Sequence, residues 1–105
     1  MFVELLKRKL SGTGPDVVLL RVSIQGQREG IHRTLSFNLV DFYQENDNIS
    51  AMMRTTAFPT SVIAQLIVRD AIPERGVRTP EQCVPLEPLL AELRRRNVNI
   101  TMTWK

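Results

Sequence analysis

A chain of 105 residues, 43% hydrophobic and 24% charged, has room for one globular domain and not for two. Its net charge of +3 is spread along the chain apart from Arg94, Arg95 and Arg96, which argues against the basic stripe of a nucleic-acid binder. The lone Cys83 excludes an internal disulfide, and no apolar run approaches the roughly 18 residues of a membrane span. Near the start, the basic Lys7, Arg8 and Lys9 follow a short apolar patch. A signal peptide has the opposite order, so the cytoplasm is the expected location.

Along the chain, residues 2–10 are expected to form a short helix, with Val3, Leu6 and Leu10 at helical spacing. The segment from Ser11 to Asp16 holds two glycines and a proline and is a loop. It is not a phosphate-cradling loop, because no Lys-Ser/Thr pair follows and the chain continues into a strand. From residue 17 to 25, Val18, Leu20, Val22 and Ile24 alternate with Leu19, Arg21, Ser23 and Gln25. From 31 to 40, Ile31, Arg33, Leu35, Phe37 and Leu39 alternate with His32, Thr34, Ser36 and Asn38. With Gly26 to Gly30 as a polar turn, these runs predict a β-hairpin with one packed and one polar face.

The segment from Asp41 to Asn48 is expected to be a loop, with Phe42 and Tyr43 anchored. Residues 49–56 are compatible with strand or with an earlier helical segment. Pro59 suits a first helical turn, followed by Val62, Ile63, Leu66 and Ile67 at helical spacing. A second start lies at Thr79, Pro80 and Gln82, which together spell a capping box. Leu86, Leu89, Leu90 and Leu93 form the stripe of the next helix, which ends in Arg94 to Arg96 and stops at Asn97. Val98, Ile100, Met102 and Trp104 then alternate with polar residues as a final strand.

The order predicts an α+β fold: an antiparallel, hairpin-containing sheet, helices packed on one face, and a C-terminal strand, with residues 1–105 as a single domain. No Gly-rich dinucleotide turn, P-loop, nucleophile elbow, paired-carboxylate signature or metal-ligand cluster is present in the sequence. Cys83 has no base near it in sequence and reads as a small packing residue. His32 lacks the converging ligands that a metal needs and reads as a surface histidine. Glu81, Glu87 and Glu92 read as helix-surface charges, and the arginine cluster as a solvated helix end. On residues alone, the alternatives are an enzyme part and a stand-alone basic α+β binding or interaction module. RNA-reading sheets display stacking aromatics, and a chain only 6% aromatic disfavours that partner.

The stretch from Ser50 to Val98 carries more. Its segments are Ser50-Ala51-Met52-Met53-Arg54-Thr55-Thr56-Ala57-Phe58-Pro59, then Glu74-Arg75-Gly76-Val77, Thr79-Pro80-Glu81, the run Pro85 to Leu93, and Arg95-Arg96-Asn97-Val98. In order and spacing they resemble the C-terminal region of the saccharopine dehydrogenase family, which includes saccharopine reductases and some lysine dehydrogenases. The hairpin also fits, so the resemblance begins at about Val17. One departure is Ala57, where the family commonly has Gly. Either that position is ordinary helix here or the local backbone differs.

The resemblance implies a parent oxidoreductase with an N-terminal Rossmann domain that binds NAD or NADP and is absent from this chain. The chain itself would hold no cofactor and no catalytic residue. It would form one wall of an amino-acid pocket between domains, and would contribute to a homodimer. The sheet, or the helix around residues 60–69, is the expected self-association surface, because losing a Rossmann partner leaves apolar surface uncovered. Arg54 is the first candidate for substrate binding, since a guanidinium grips carboxylates bidentately, and Thr55 and Thr56 are its companions. The alternatives are a structural salt bridge for Arg54 and helix capping for the threonines.

Overall fold

A computed structural model describes residues 1–10, 12 and 14–105. Helix α1 (Phe2–Leu10) precedes a hairpin of β1 (Val17–Arg28) and β2 (Ile31–Phe42). Helix α2 (Ala51–Val68), the single turn α3 (Pro80–Cys83), helix α4 (Leu86–Arg95) and strand β3 (Ile100–Trp104) follow. The three strands form an antiparallel sheet in the order β1-β2-β3, as the α+β reading expects. Of the loop expected between Ser11 and Asp16, Ser11 and Thr13 lie outside the described residues.

The hairpin is longer than its alternation suggested. Strand β1 continues through Gly26 to Arg28, and the turn is only Glu29-Gly30, with φ of 54° and 76°. Both central residues are left-handed, the geometry of the tight turn that matches strand twist. Gly26 therefore lies in the strand and not in the turn. At the other end β2 runs two residues past the expected stop, so Asp41 and Phe42 pair with Val18 and Val17. Phe42 is exposed, contrary to the expected anchoring, because its side chain falls on the face away from the helices. Tyr43 is half-buried and its hydroxyl donates to Asn48 Oδ1.

Of the undetermined residues 49–56, Ile49 forms an isolated antiparallel bridge with Gln44 and the stretch from Ala51 on is helix. Ser50 caps α2, its side chain accepting from the Met53 N–H, and Pro59 sits inside the helix instead of opening it. Two more of the unpaired first-turn donors are met from 35 residues away: Ala51 N–H and Met52 N–H donate to the Asp16 carboxylate at 2.6 and 2.9 Å. These backbone bonds, the one from Met52 foremost, hold the Asp16 carboxyl below its ordinary range. Ala57 is ordinary helix interior, which resolves the departure from the family pattern.

Helices α2 and α4 pack on the sheet face that carries Val18, Leu39 and Ile100. The core there is Leu39, Val62, Leu66, Ile72, Leu93 and Val98, with Phe58, Ile63, Cys83 and Leu89 packed against it. Cys83 thus fills space, and its thiol meets the Thr79 carbonyl oxygen at 3.4 Å. Helix α4 ends in a Schellman motif: Asn97 takes φ 59°, Asn97 N–H donates to Arg94 O, and Val98 N–H donates to Leu93 O.

The helices cover only the base of that face. Beyond the row of Leu20, Leu39 and Ile100, register places Val22, Phe37 and Met102 in one row, then Ile24, Leu35 and Trp104 in the next. Leu20, Ile24, Met102 and Trp104 are each about half exposed, at 52%, 53%, 57% and 48%. The radius of gyration is 17.5 Å, against about 13 Å for a compact domain of this length. The opposite face is polar in its middle, with Arg21 Nε donating to Asn38 Oδ1 and Ser23 bonded to Ser36.

Candidate functional site

Arg54 lies on the second turn of α2 and is 5% exposed. Its Nε donates to Asp41 Oδ2 at 2.9 Å and its Nη2 to Asp41 Oδ1 at 3.2 Å. Asp41, at the end of β2, is equally buried. This is the planar two-bond pairing that only arginine makes. Nη2 also donates to the carbonyl oxygens of Arg96 and Asn97, at 3.0 and 3.4 Å, just past the end of α4. The Phe58 ring, one helical turn on, lies 5.1 Å from the guanidinium carbon. One side chain therefore ties the end of a strand, the start of one helix and the end of another.

For Arg54 the structure realises the internal salt bridge named as its alternative role. Every buried side-chain nitrogen and oxygen among the described residues is hydrogen-bonded. Nη1 donates to no acceptor among the described residues. Thr55 is half-buried and its hydroxyl donates back to Ala51 O at 2.9 Å, one turn up its own helix. Thr56 is exposed, its hydroxyl 3.9 Å from Met52 Sδ. Successive residues turn by about 100° around a helix, so Arg54, Thr55 and Thr56 do not converge on one point. Neither threonine caps α2, which falls to Ser50 and Asp16.

Sequence reading missed Asp41 and Asp16 as partners. Both stand in runs that look like loop, and only the fold brings them to α2. It also missed Glu92, which is half-buried and faces three arginines. Its carboxylate is 2.7 Å from Arg96, 3.2 Å from Arg95 and 3.6 Å from Arg69. The Arg96 guanidinium beside it, more than the others, holds the Glu92 carboxyl below its usual range. The arginine cluster at the end of α4 is accordingly not all solvated: Arg96 also donates to the Glu92 carbonyl oxygen at 2.7 Å.

The remaining polar features are at the hairpin tip. His32 Nε2 and Gln27 Nε2 are 3.1 Å apart across the strands. Arg28 lies 5.9 Å from the Trp104 ring, and these two with Glu29, Ile31 and Arg33 line an open hollow of about 320 Å³. Among the described residues no His, Cys, Asp and Glu group is placed to hold a metal ion, and no helix is long and apolar enough to cross a membrane.

No solved structure matches the chain. Residues 1–98 match the family model described as the saccharopine dehydrogenase C-terminal domain, so the likeness extends through α1 and ends just before β3. With the hairpin, the α2 motif and the α4 terminus all inside that match, the chain belongs to the saccharopine dehydrogenase C-terminal domain family.

Proposed function

We propose that this chain works as the C-terminal domain of an NAD(P)-dependent oxidoreductase acting on an amino acid. In that reading a Rossmann domain elsewhere in the parent chain holds the nicotinamide, and residues 1–105 form a single domain that supplies no catalytic group. The domain forms one wall of the amino-acid pocket, contributes to a homodimer, or does both. Family membership over residues 1–98 carries this reading. The uncovered apolar sheet face supports it, since exposed patches of this kind mark contact surfaces.

Arg54 serves the pocket in two ways under this proposal. Its bonds to Asp41 and the end of α4 hold the wall in place, and its Nη1 edge is the part available to a substrate carboxylate. Thr55 and Thr56 flank it on the neighbouring sides of α2. The test is steady-state kinetics of the full-length enzyme carrying Arg54→Ala, measured below the variant's melting temperature. A lost charge-assisted contact in a desolvated site should lower kcat/KM for the amino acid by about two orders of magnitude, with nicotinamide KM little changed. Arg54→Lys should not restore it, because lysine lacks the planar fork. Unchanged amino-acid kinetics with reduced thermal stability would leave Arg54 a purely structural residue.

A further inference from the structure

We infer that the free edge of β1 pairs with the same edge of a second copy of this chain, in an antiparallel ladder centred on Val22. The inference rests on the self-association half of the proposed function and names the surface that performs it.

The hydrogen-bond direction along β1 follows from its two ends. Tyr43 N–H donates to Asp16 O, which makes Asp16 and Tyr43 a bonded pair at the base. Arg28 and Ile31 close the two-residue turn at the tip. Bonded pairs alternate in an antiparallel ladder, so the even-numbered residues of β1 bond to β2. The N–H and C=O groups of Val17, Leu19, Arg21, Ser23, Gln25 and Gln27 therefore point outward from the sheet. Strand β1 is first in the sheet order, and among the described residues no other backbone bond reaches this edge. The strand is 12 residues long, pairs with β2 without a bulge, contains no proline, and is exposed everywhere except at Val18. Proteins guard such edges with prolines, bulges, short strands or charges; β1 is long, has no proline and no bulge, and its only charges are Arg21 and, at the tip, Arg28.

The sequence of β1 is complementary to itself in one register. Centring on Val22 sets every outward-facing residue opposite an outward-facing residue of the partner. Leu20 then meets Ile24 of the partner subunit, and Val22 meets Val22 of the partner subunit, on the helix-bearing face. This continues the uncovered apolar rows across the seam. Arg21 meets Ser23 of the partner subunit, and at each end Arg28 comes opposite Asp16 of the partner subunit. Shifting the centre to Arg21 sets two guanidiniums face to face. Shifting it to Ser23 sets Arg28 against an apolar valine. Charge thus selects the Val22 register and a second copy as the occupant.

The experiment combines sedimentation of the chain with cysteine cross-linking in a Cys83→Ser background. At about 100 μM the parent chain should sediment as a dimer. Ser23→Pro removes one outward N–H without touching the β2 ladder, and should give a monomer with unchanged circular dichroism. Val22→Cys should form an intermolecular disulfide under mild oxidation, because directly opposed unbonded pairs bring Cα atoms within disulfide range. Leu20→Cys and Ile24→Cys should cross-link when mixed, and neither should do so alone. Should Ser23→Pro fail to fold, the cross-linking pattern decides. A dimer that survives Ser23→Pro without a Val22→Cys cross-link overturns edge pairing and leaves self-association through another surface. A monomer with no cross-link overturns both.

Discussion

Replacing Arg54 with Ala strands the Asp41 carboxylate, 4% exposed, without either of its guanidinium donors, and leaves the Arg96 and Asn97 carbonyls without theirs. Removing one partner of a buried pair costs about 3–5 kcal/mol, because the remaining charge stays desolvated. A domain of this size has a total stability of roughly 5–15 kcal/mol, so this one change removes much of it. At about 4–8 °C per kcal/mol, the melting temperature should fall on the order of 15–30 °C. Arg54→Lys should recover only part, since an ammonium cannot serve Asp41 and the helix end in one plane. Replacing both members, Arg54→Met with Asp41→Leu, should be far milder than either single loss, because no charge is then left buried. The assay is thermal and urea unfolding of the parent chain, Arg54→Met, Asp41→Leu and the double variant, read as a double-mutant cycle, with Arg54→Ala and Arg54→Lys measured beside them. A loss below about 1 kcal/mol for Arg54→Ala, the range of an exposed pair, would refute the lock.

Three further outcomes follow from named features. Asp16 and Glu92 both have folded-state pKa values held below their ordinary ones. Their contribution to stability is therefore fully present above the ordinary carboxylate range and is lost as pH falls through the depressed folded values. Acid unfolding of Asp16→Asn should show a shallower dependence on pH below about 4 than the parent chain, and an unchanged slope would remove the capping role. Pro59→Ala should restore a helix bond to the Thr55 carbonyl and raise stability by about 1–2 kcal/mol in urea titrations, after allowing for the looser unfolded chain. Asn97 holds φ 59° at the end of α4, so Asn97→Gly should be neutral or stabilising and Asn97→Val should cost about 1–2 kcal/mol by the same titration.

The parts legible in the sequence were those governed by local pattern. Alternation at Val18 to Ile24 and at Leu35 to Leu39 located the hairpin and sorted its faces. Thr79-Pro80 and the leucine stripe located α3 and α4, and Thr79 N–H does approach the Gln82 side chain, at 3.5 Å. The start of α2 was hidden because Pro59 imitates a helix opening, while the cap that fixes the true start comes from Asp16, on the far side of the hairpin. The role of Arg54 was hidden for the same reason. An arginine and an aspartate 13 residues apart become a buried pair only when β2 ends beside the second turn of α2. Nor does periodicity distinguish a covered from an uncovered apolar row. Val22 and Ile24 read as core, yet the helices stop short of them.

The central claim is that this chain is one module of a two-part enzyme and that the nicotinamide site belongs to the other part. Calorimetric titration of NADH and NADPH into the 105-residue chain tests it most directly. Lacking a Gly-rich turn at the start of a helix, the chain should show no binding tighter than about 100 μM, roughly −5.5 kcal/mol. Saturable binding below that concentration would contradict the account.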